Sequence, residues 1–217
     1  MKAIVIGATG ATGKEIVQLL LQDQTFNQIT VFVRKKSFEY HTKLNEVIVD
    51  FEHLDQYKNE INADIAFSCL GTTLKIAGSK ENQWKVDFDY QLKFAQLAQE
   101  KNVNTFVLLS ALGAKSTAKI FYSKMKGKLE DEIKKLNFNT TLIIKPGSLI
   151  RPNSDRIGEI LGIKVLNLIN KLGFLKTYTP ITVNNLANIM IEKSKTSKKG
   201  IQLIEMTEIL NHINNKL

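Results

Sequence analysis

The chain has few of the residues that build metal centres and disulfide frameworks. Its 217 residues include one cysteine, Cys69, and three histidines, which are scattered at positions 41, 53 and 212. This spacing is not that of a metal-ligand set, so we expect no structural metal. A single cysteine forms no internal disulfide and is typical of a protein from a reducing compartment.

Long apolar runs and linker-like segments are also absent. No apolar stretch approaches the roughly 20 residues of a membrane span, and the run after Lys2 is too short for a signal-peptide core. With only three prolines and no Pro/Gly/Ser-rich tract, the sequence predicts one domain over 1–217. We expect a cytoplasmic protein that does not bind membranes.

Acidic residues are outnumbered, and the net charge is +9. Basic proteins attract phosphates, either on a cofactor or on nucleic acid. The lysines are not interleaved with aromatic residues for stacking on bases, so we expect a solvated surface and no nucleic-acid partner.

Apolar, β-branched runs alternate with helical patterns along the chain. This alternation predicts the α/β class, as a doubly wound parallel sheet in three α/β/α layers, which is a Rossmann fold. The predicted strands after the first are 28–34, 46–50, 64–70, 105–110, 140–145 and 201–205. The predicted helices are 12–22, 79–100, 121–136, 157–172, 184–193 and 206–215. We expect 1–150 to form the cofactor-binding core and 151–217 to cover the substrate.

A glycine-rich turn directly follows the first apolar run. Gly7, Gly10 and Gly13 have the spacing G-x-x-G-x-x-G between a predicted strand and a predicted helix. Glycines here allow a tight turn and a close backbone approach, and the helix N-terminus suits a pyrophosphate. The alternative is a turn that only joins strand to helix. We predict a dinucleotide site that includes Thr9, Ala11 and Thr12.

The end of the second predicted strand bears on the choice of cofactor. Dinucleotide sites for NAD usually place an acidic residue about 20 positions beyond the glycines. Here Arg34 stands 21 positions beyond Gly13, and a guanidinium pairs with a 2′-phosphate. We therefore predict NADP(H), with NAD(H) possible; in the alternative, Arg34 only begins a solvated loop. Asp50 either faces the adenine ring or starts the next turn.

Three residues predict the chemistry. Ser110 ends the fifth predicted strand, and Tyr122 and Lys126 lie one helical turn apart on one face of the following helix. A nearby ammonium stabilises a tyrosine phenolate, so that Tyr122 exchanges a proton with a carbonyl oxygen while Ser110 hydrogen-bonds that oxygen. The alternative is that Tyr122 is a core aromatic residue and Lys126 is exposed.

The motifs as a set resemble the atypical branch of the short-chain dehydrogenase/reductase superfamily, and more narrowly the Tat-interacting oxidoreductase-like proteins. They cover about residues 2–150. The motifs other than the glycine turn and the Ser-Tyr-Lys set are Cys69-Leu70-Gly71-Thr72-Thr73, Ala77-Gly78, Val86-Asp87, Asp89-Tyr90, Leu108-Leu109-Ser110-x-x-Gly113-Ala114 and Lys145-Pro146-Gly147. The superfamily members usually have arginine where Lys145 stands.

The resemblance implies a Rossmann fold, a bound NADP-type cofactor and a Ser-Tyr-Lys site. It implies that Leu70, Gly71 and Thr72 pass under the cofactor ribose and that Pro146 borders the nicotinamide. Members of this branch also have regulatory and protein-binding roles. We therefore expect an NADP(H)-dependent oxidoreductase acting on a small carbonyl or alcohol. The alternative is a non-catalytic NADP(H) sensor that binds a protein partner, and either a monomer or a homodimer is compatible with the sequence.

Overall fold

A computed structural model of the chain describes residues 1–150 and 179–215. Its main feature is a seven-stranded sheet in the order β3-β2-β1-β4-β5-β6-β9, in which every neighbouring pair is parallel. The strands are β1 Lys2–Ile6, β2 Gln28–Val33, β3 Leu44–Ile48, β4 Ile65–Ser68, β5 Thr105–Leu109, β6 Thr140–Lys145 and β9 Gly200–Glu205. Two further strands, β7 Leu149–Ile150 and β8 Ile181–Thr182, pair with each other.

Helices cover both faces of the sheet. They are α1 Ala11–Gln22, α2 Leu74–Ala77, α3 Lys80–Trp84, α4 Tyr90–Glu100, α5 Phe121–Lys135, α6 Val183–Thr196 and α7 Met206–Asn214. The apolar residues of α1, α6 and α7 pack on one face, and those of α4 and α5 pack on the other. The predicted three-layer Rossmann fold is confirmed.

Successive residues of the central strands enter opposite cores. In β1, Ala3 and Val5 belong to the core beneath α1, whereas Ile4 and Ile6 belong to the core beneath α4. Strands that are buried on both faces read as continuous apolar runs. This is why the sequence identifies them without an alternating polar pattern.

The predicted helix over 79–100 is interrupted. A π-helical turn, Lys85–Asp89, separates α3 from α4. The turn is stabilised from its side, because the Gln91 side-chain amide donates to the Asp87 carbonyl oxygen at 2.7 Å and the Ser68 hydroxyl donates to Gln91 Oε1 at 2.8 Å. Two short 3-10 helices within Phe51–Glu60, separated by a kink at His53, were not predicted.

The C-terminal elements complete the sheet and one helical layer. β9 extends the sheet beyond β6, in register from Thr140↔Gly200 to Lys145↔Glu205, and α6 packs on α1. The strand Gly200–Glu205 and the two helices of this part of the chain thus belong to the sheet and one helical layer. The substrate-covering role expected for 151–217 stays a prediction. The predicted helix over 157–172 lies outside the described residues.

Candidate functional site

A cleft of about 880 Å³ lies at the carboxyl edge of the sheet. It is centred where the strand order reverses between β1 and β4, the position at which open α/β sheets bind ligands. Its walls come from the α1 N-terminus, from the segments after β4, β5 and β6, and from the start of α5. Predicted site residues that line it are Gly10, Ala11, Thr12, Leu70, Gly71, Thr72, Ser110, Tyr122, Lys126 and Pro146.

The glycine turn has no room for side chains at its two ends. Gly7 has φ +73°, and a Cβ there would lie 2.4 Å from the Cys69 carbonyl carbon. A Cβ on Gly13 would lie 2.2 Å from the Gly7 carbonyl oxygen. These contacts explain why glycine is needed: the turn packs tightly against β4 and α1. Neither glycine lines the cleft, and Thr9 is an exposed residue of the same turn.

The N-terminus of α1 faces the cleft without a capping side chain. Gly10 is the N-cap, no side chain accepts a hydrogen bond from the first turn, and that turn contains no acidic residue. Unpaired N–H groups in the field of the helix dipole bind anions. The turn and helix therefore fit the pyrophosphate of a dinucleotide.

Arg34 and Asp50 lie apart from this cleft. Arg34 is exposed and directly follows β2, whose Phe32 is in register with Ile6, so it emerges at the same sheet edge as the glycine turn. Asp50 caps the 3-10 helix, accepting from the Glu52 backbone N–H at 2.9 Å, and lies 2.9 Å from His53 Nδ1. Hydrogen bonding to His53 lowers the pKa of Asp50, and its carboxylate is already engaged.

Ser110, Tyr122 and Lys126 all line the same cleft. Ser110 is buried just beyond β5, where its N–H donates to the Ile144 carbonyl oxygen at 2.8 Å. Tyr122 is 39% exposed at the start of α5. Within 1–150 and 179–215, no residue hydrogen-bonds the Tyr122 hydroxyl. Its oxygen is accordingly available to a ligand, unlike that of a packed core tyrosine.

Lys126 is buried and paired, not exposed. Its Nζ lies 3.4 Å from Asp87 Oδ1, with the two side chains 3% and 1% exposed. The other Asp87 oxygen accepts from the Thr72 backbone N–H at 2.8 Å. Burial raises the pKa of Asp87, and the Lys126 charge opposes this. The π-helical turn thus places a carboxylate behind the cleft that fixes both Lys126 and the segment after β4.

A second buried carboxylate, Glu130, stands behind Ser110. The Ser110 hydroxyl donates to Glu130 Oε1, and Lys145 Nζ lies 3.5 Å from Glu130 Oε2. Lys145 also donates to the Ala114 carbonyl oxygen at 3.1 Å. Tyr122, Lys126 and Glu130 are spaced four residues apart, so one face of α5 presents all three to the β5 edge.

Gly127 brings the segment after β5 close to α5. A Cβ on Gly127 would lie 2.1 Å from the Lys115 carbonyl carbon and 2.2 Å from the Ser116 nitrogen. The Lys115 N–H donates to the Ser123 carbonyl oxygen at 3.1 Å. This segment ends at Ile120, which lines the cleft, so Gly127 helps to set the width of the cleft beside Tyr122.

The sequence alone predicted no role for Asp87, Glu130 or Gln83. Gln83 is buried in the cleft wall and donates to the Thr72 carbonyl oxygen at 3.3 Å. The one available signal was the acidic residue four positions beyond Lys126, on the helix face that carries Tyr122. Asp87 was recognised only as part of a family motif.

Within 1–150 and 179–215, no cluster of three or more histidine, cysteine or acidic side chains has the geometry of a metal site. Over the same residues, no helix is long and apolar enough to cross a membrane. Burial raises the pKa of the Cys69 thiol to about 12, so Cys69 is not an activated nucleophile.

The strand order, the glycine turn and the uncapped helix N-terminus define a Rossmann protein of the dinucleotide-binding class. A family model described as NAD(P)H-binding matches residues 7–161. The chain belongs to this NAD(P)H-binding family.

Similar proteins support the same assignment. Protein HTATIP2 of Rattus norvegicus is 35% identical over 165 residues, which cover 74% of this chain and 68% of that protein. The mitochondrial protein FMP52 of Meyerozyma guilliermondii is 31% identical over 217 residues, which cover 96% of this chain and 94% of that protein. The resemblance to the atypical short-chain dehydrogenase/reductase superfamily is confirmed. The cytoplasmic location stays a prediction.

Solved structures share the fold at low identity. The oxidoreductase ylbE from Lactococcus lactis superposes with a TM-score of 0.70 at 20% identity, covering 99% of this chain and 97% of that one. MoeE5 in complex with UDP-glucuronic acid and NAD gives a TM-score of 0.72 at 12% identity, covering 100% and 82%. At these identities the likeness establishes the fold alone.

Proposed function

We propose that the protein is an NADP(H)-dependent oxidoreductase that transfers hydride to or from a small carbonyl or alcohol substrate, with Tyr122 as acid/base. The observation that carries the proposal is the convergence of Ser110, Tyr122 and Lys126 on one cleft beside the uncapped N-terminus of α1. Hydride transfer to or from a carbonyl or alcohol needs a dinucleotide site and a proton donor next to each other, and the cleft offers candidate residues for both.

The chain's own residues would bind the cofactor and handle the proton. When bound, the nicotinamide supplies or accepts the hydride. The α1 N–H groups would hold the pyrophosphate, and the segment Leu70–Thr72 would lie against the adjoining ribose. Tyr122, whose hydroxyl has no hydrogen-bond partner among the described residues, would give its proton to the substrate oxygen during reduction and accept it during oxidation.

Lys126 would act on Tyr122 from the buried side of α5. Its ammonium lies one helical turn beyond Tyr122 and lines the same cleft. Because Lys126 is buried and paired with Asp87, we expect the cation to keep its position when a ligand binds. A fixed cation stabilises a developing phenolate without reorganisation during the reaction.

The preference for NADP(H) rests on Arg34. It is exposed and leaves the sheet at the edge shared with the glycine turn. An exposed guanidinium there would pair with a 2′-phosphate.

The first experiment is a calorimetric titration of the protein with NADPH and NADH. We expect tighter binding of NADPH, and we expect Arg34→Ala to weaken NADPH about tenfold or more while leaving NADH unchanged, since a charge-assisted hydrogen bond contributes about 1.5–3 kcal/mol. Lys199→Ala is the matched control, because it removes one charge from an exposed residue just before β9, at the opposite edge of the sheet. Failure of both nucleotides to bind a folded sample contradicts the proposal.

The second experiment is turnover of a carbonyl panel by wild type, Tyr122→Phe and Tyr40→Phe. We expect Tyr122→Phe to abolish turnover while NADPH affinity is unchanged. Tyr40→Phe removes a hydroxyl from a side chain that is 90% exposed, and it should be fully active. If no carbonyl is turned over while NADPH and NADP⁺ stabilise different complexes with a protein partner, the sensor alternative replaces the enzyme.

A further inference from the structure

Ser110 has its hydroxyl proton engaged on the side away from the cleft. Ser110 lines the cleft, whereas Glu130, which accepts its proton, lies behind it and is 3% exposed. A serine hydroxyl has one proton and two lone pairs. While this hydrogen bond lasts, Ser110 offers only lone pairs to a molecule in the cleft.

The charged groups around Glu130 are few and fixed. From β6, Lys145 Nζ lies 3.5 Å from Glu130 Oε2, and from β9, Glu205 Oε1 lies 3.4 Å from the same ammonium. On α5 itself, Lys134 adds a positive charge. Burial raises the pKa of Glu130, while the Ser110 hydrogen bond and the two lysines oppose the rise. The protonation state of Glu130 therefore depends on the balance between burial and these neighbours.

We propose that Glu130 is a positioning residue that sets the direction of the Ser110 hydrogen bond, and thereby decides whether the cleft binds an alcohol or a carbonyl oxygen. An ionised Glu130 accepts a hydrogen bond from the Ser110 hydroxyl, so Ser110 can only accept a hydrogen bond from a substrate hydroxyl. A protonated Glu130 donates to Ser110 Oγ, and the Ser110 proton turns to the cleft. This inference rests on the proposed oxidoreductase function for its consequence but not for its geometry.

Binding a carbonyl and binding an alcohol place different demands on Ser110. A carbonyl oxygen has no proton, so Ser110 holds it only as a hydrogen-bond donor. An alcohol has one hydroxyl proton, and when it donates that proton to Ser110 it has none to give to Tyr122, so this complex is unproductive. Protonation of Glu130 thus favours binding of the carbonyl and permits transfer in both directions, whereas ionisation favours unproductive binding of the alcohol.

A first test needs no cofactor. In protein labelled with ¹³C at the glutamate side-chain carboxyls, the Glu130 signal is assigned by its loss in Glu130→Gln, and its pH titration is followed by NMR. We expect Ser110→Ala to shift the Glu130 titration to higher pH, since the carboxylate loses a hydrogen-bond donor. Ser148→Ala, at another serine of the cleft wall, should leave it unchanged. A titration that is the same with and without the Ser110 hydroxyl overturns the proposal.

A second test reads the direction of the bond. Cyclohexanone and NADP⁺ do not react with each other, because neither carries a transferable hydride. The infrared carbonyl stretch of cyclohexanone falls in frequency when its oxygen accepts a hydrogen bond. The measurement is made in the Tyr122→Phe variant, because this substitution removes the other hydrogen-bond donor to the cyclohexanone oxygen. We expect a lowered frequency below the Glu130 titration and its loss above it. Adding Glu130→Gln, which removes the titrating carboxyl, should abolish the pH dependence of the frequency.

The outcomes separate this inference from the proposed function. An identical pH response with Glu130 and with Glu130→Gln overturns the positioning role even if the enzyme turns over. If NADP⁺ does not bind, the proposed function fails, and the NMR titration still decides whether Ser110 and Glu130 are coupled.

Discussion

Replacing Gly127 by alanine should reverse the usual effect of that substitution inside a helix. In an exposed helix, alanine is more favourable than glycine by about 1 kcal/mol. At Gly127 the new Cβ would lie 2.1 Å from the Lys115 carbonyl carbon, whereas ordinary contact begins at about 3.4 Å. The segment Lys115–Ser116 must therefore retreat by about 1.3 Å. Overpacking of a closed contact costs about 1–3 kcal/mol.

The helix gain offsets part of this cost, so the expected net effect is a loss of about 1 kcal/mol; the clashing atoms are backbone and move only with the whole segment. For a chain of this length, that loss lowers Tm by about 2–4 °C. Urea unfolding followed by circular dichroism measures it. Lys124→Ala is the control, an exposed position of the same helix that should change stability by less than about 0.5 kcal/mol. A Gly127→Ala protein that is more stable than wild type would refute the close approach.

Three further changes have defined outcomes. Asp87→Asn should destabilise the protein by about 3–5 kcal/mol in urea, because it leaves the buried Lys126 ammonium unpaired, and adding Lys126→Met should recover most of the loss. A loss below about 0.5 kcal/mol, which is the size expected for a surface substitution, would argue against the Lys126–Asp87 ion pair. Cys69 should react with a thiol reagent at pH 8 only on unfolding, since burial raises its pKa to about 12. Burial raises the pKa of Asp23, but hydrogen bonds from Lys195 and Thr25 outweigh it and lower the pKa to about 2. The stability that this carboxylate provides is present above pH 4 and should fall by up to about 1 kcal/mol as pH drops towards 2. Asp23→Asn should flatten this slope.

The glycine turn and its place at the wall of the cleft could be predicted from the sequence because their signals are local. The glycine turn needs only a strand before it and a helix after it, and β1 and α1 supply both. Ser110 and Tyr122 were readable for a related reason. Each stands at the end or start of a strongly patterned element, and all carboxyl ends of a parallel sheet share one edge.

The positions of the residues behind the cleft could not be predicted from the sequence, because their partners are distant in sequence. Asp87 reaches Lys126 only through the π-helical turn, and an apolar pattern over 79–100 predicts one continuous helix with that carboxylate facing elsewhere. Glu130 reaches Ser110 and Lys145 from a third element, so its burial depends on how α5 lies over the ends of β5 and β6. Neither placement is encoded in local spacing.

The two ends of the chain also depend on each other during synthesis. α6 packs on α1, so Ile16, Val17 and Leu20 are covered by residues about 170 positions later in the sequence. A growing chain that has emerged only to residue 150 holds the whole glycine turn but exposes this apolar face, and such surfaces promote aggregation. The apolar face of α1 is therefore fully covered only after α6 has left the ribosome.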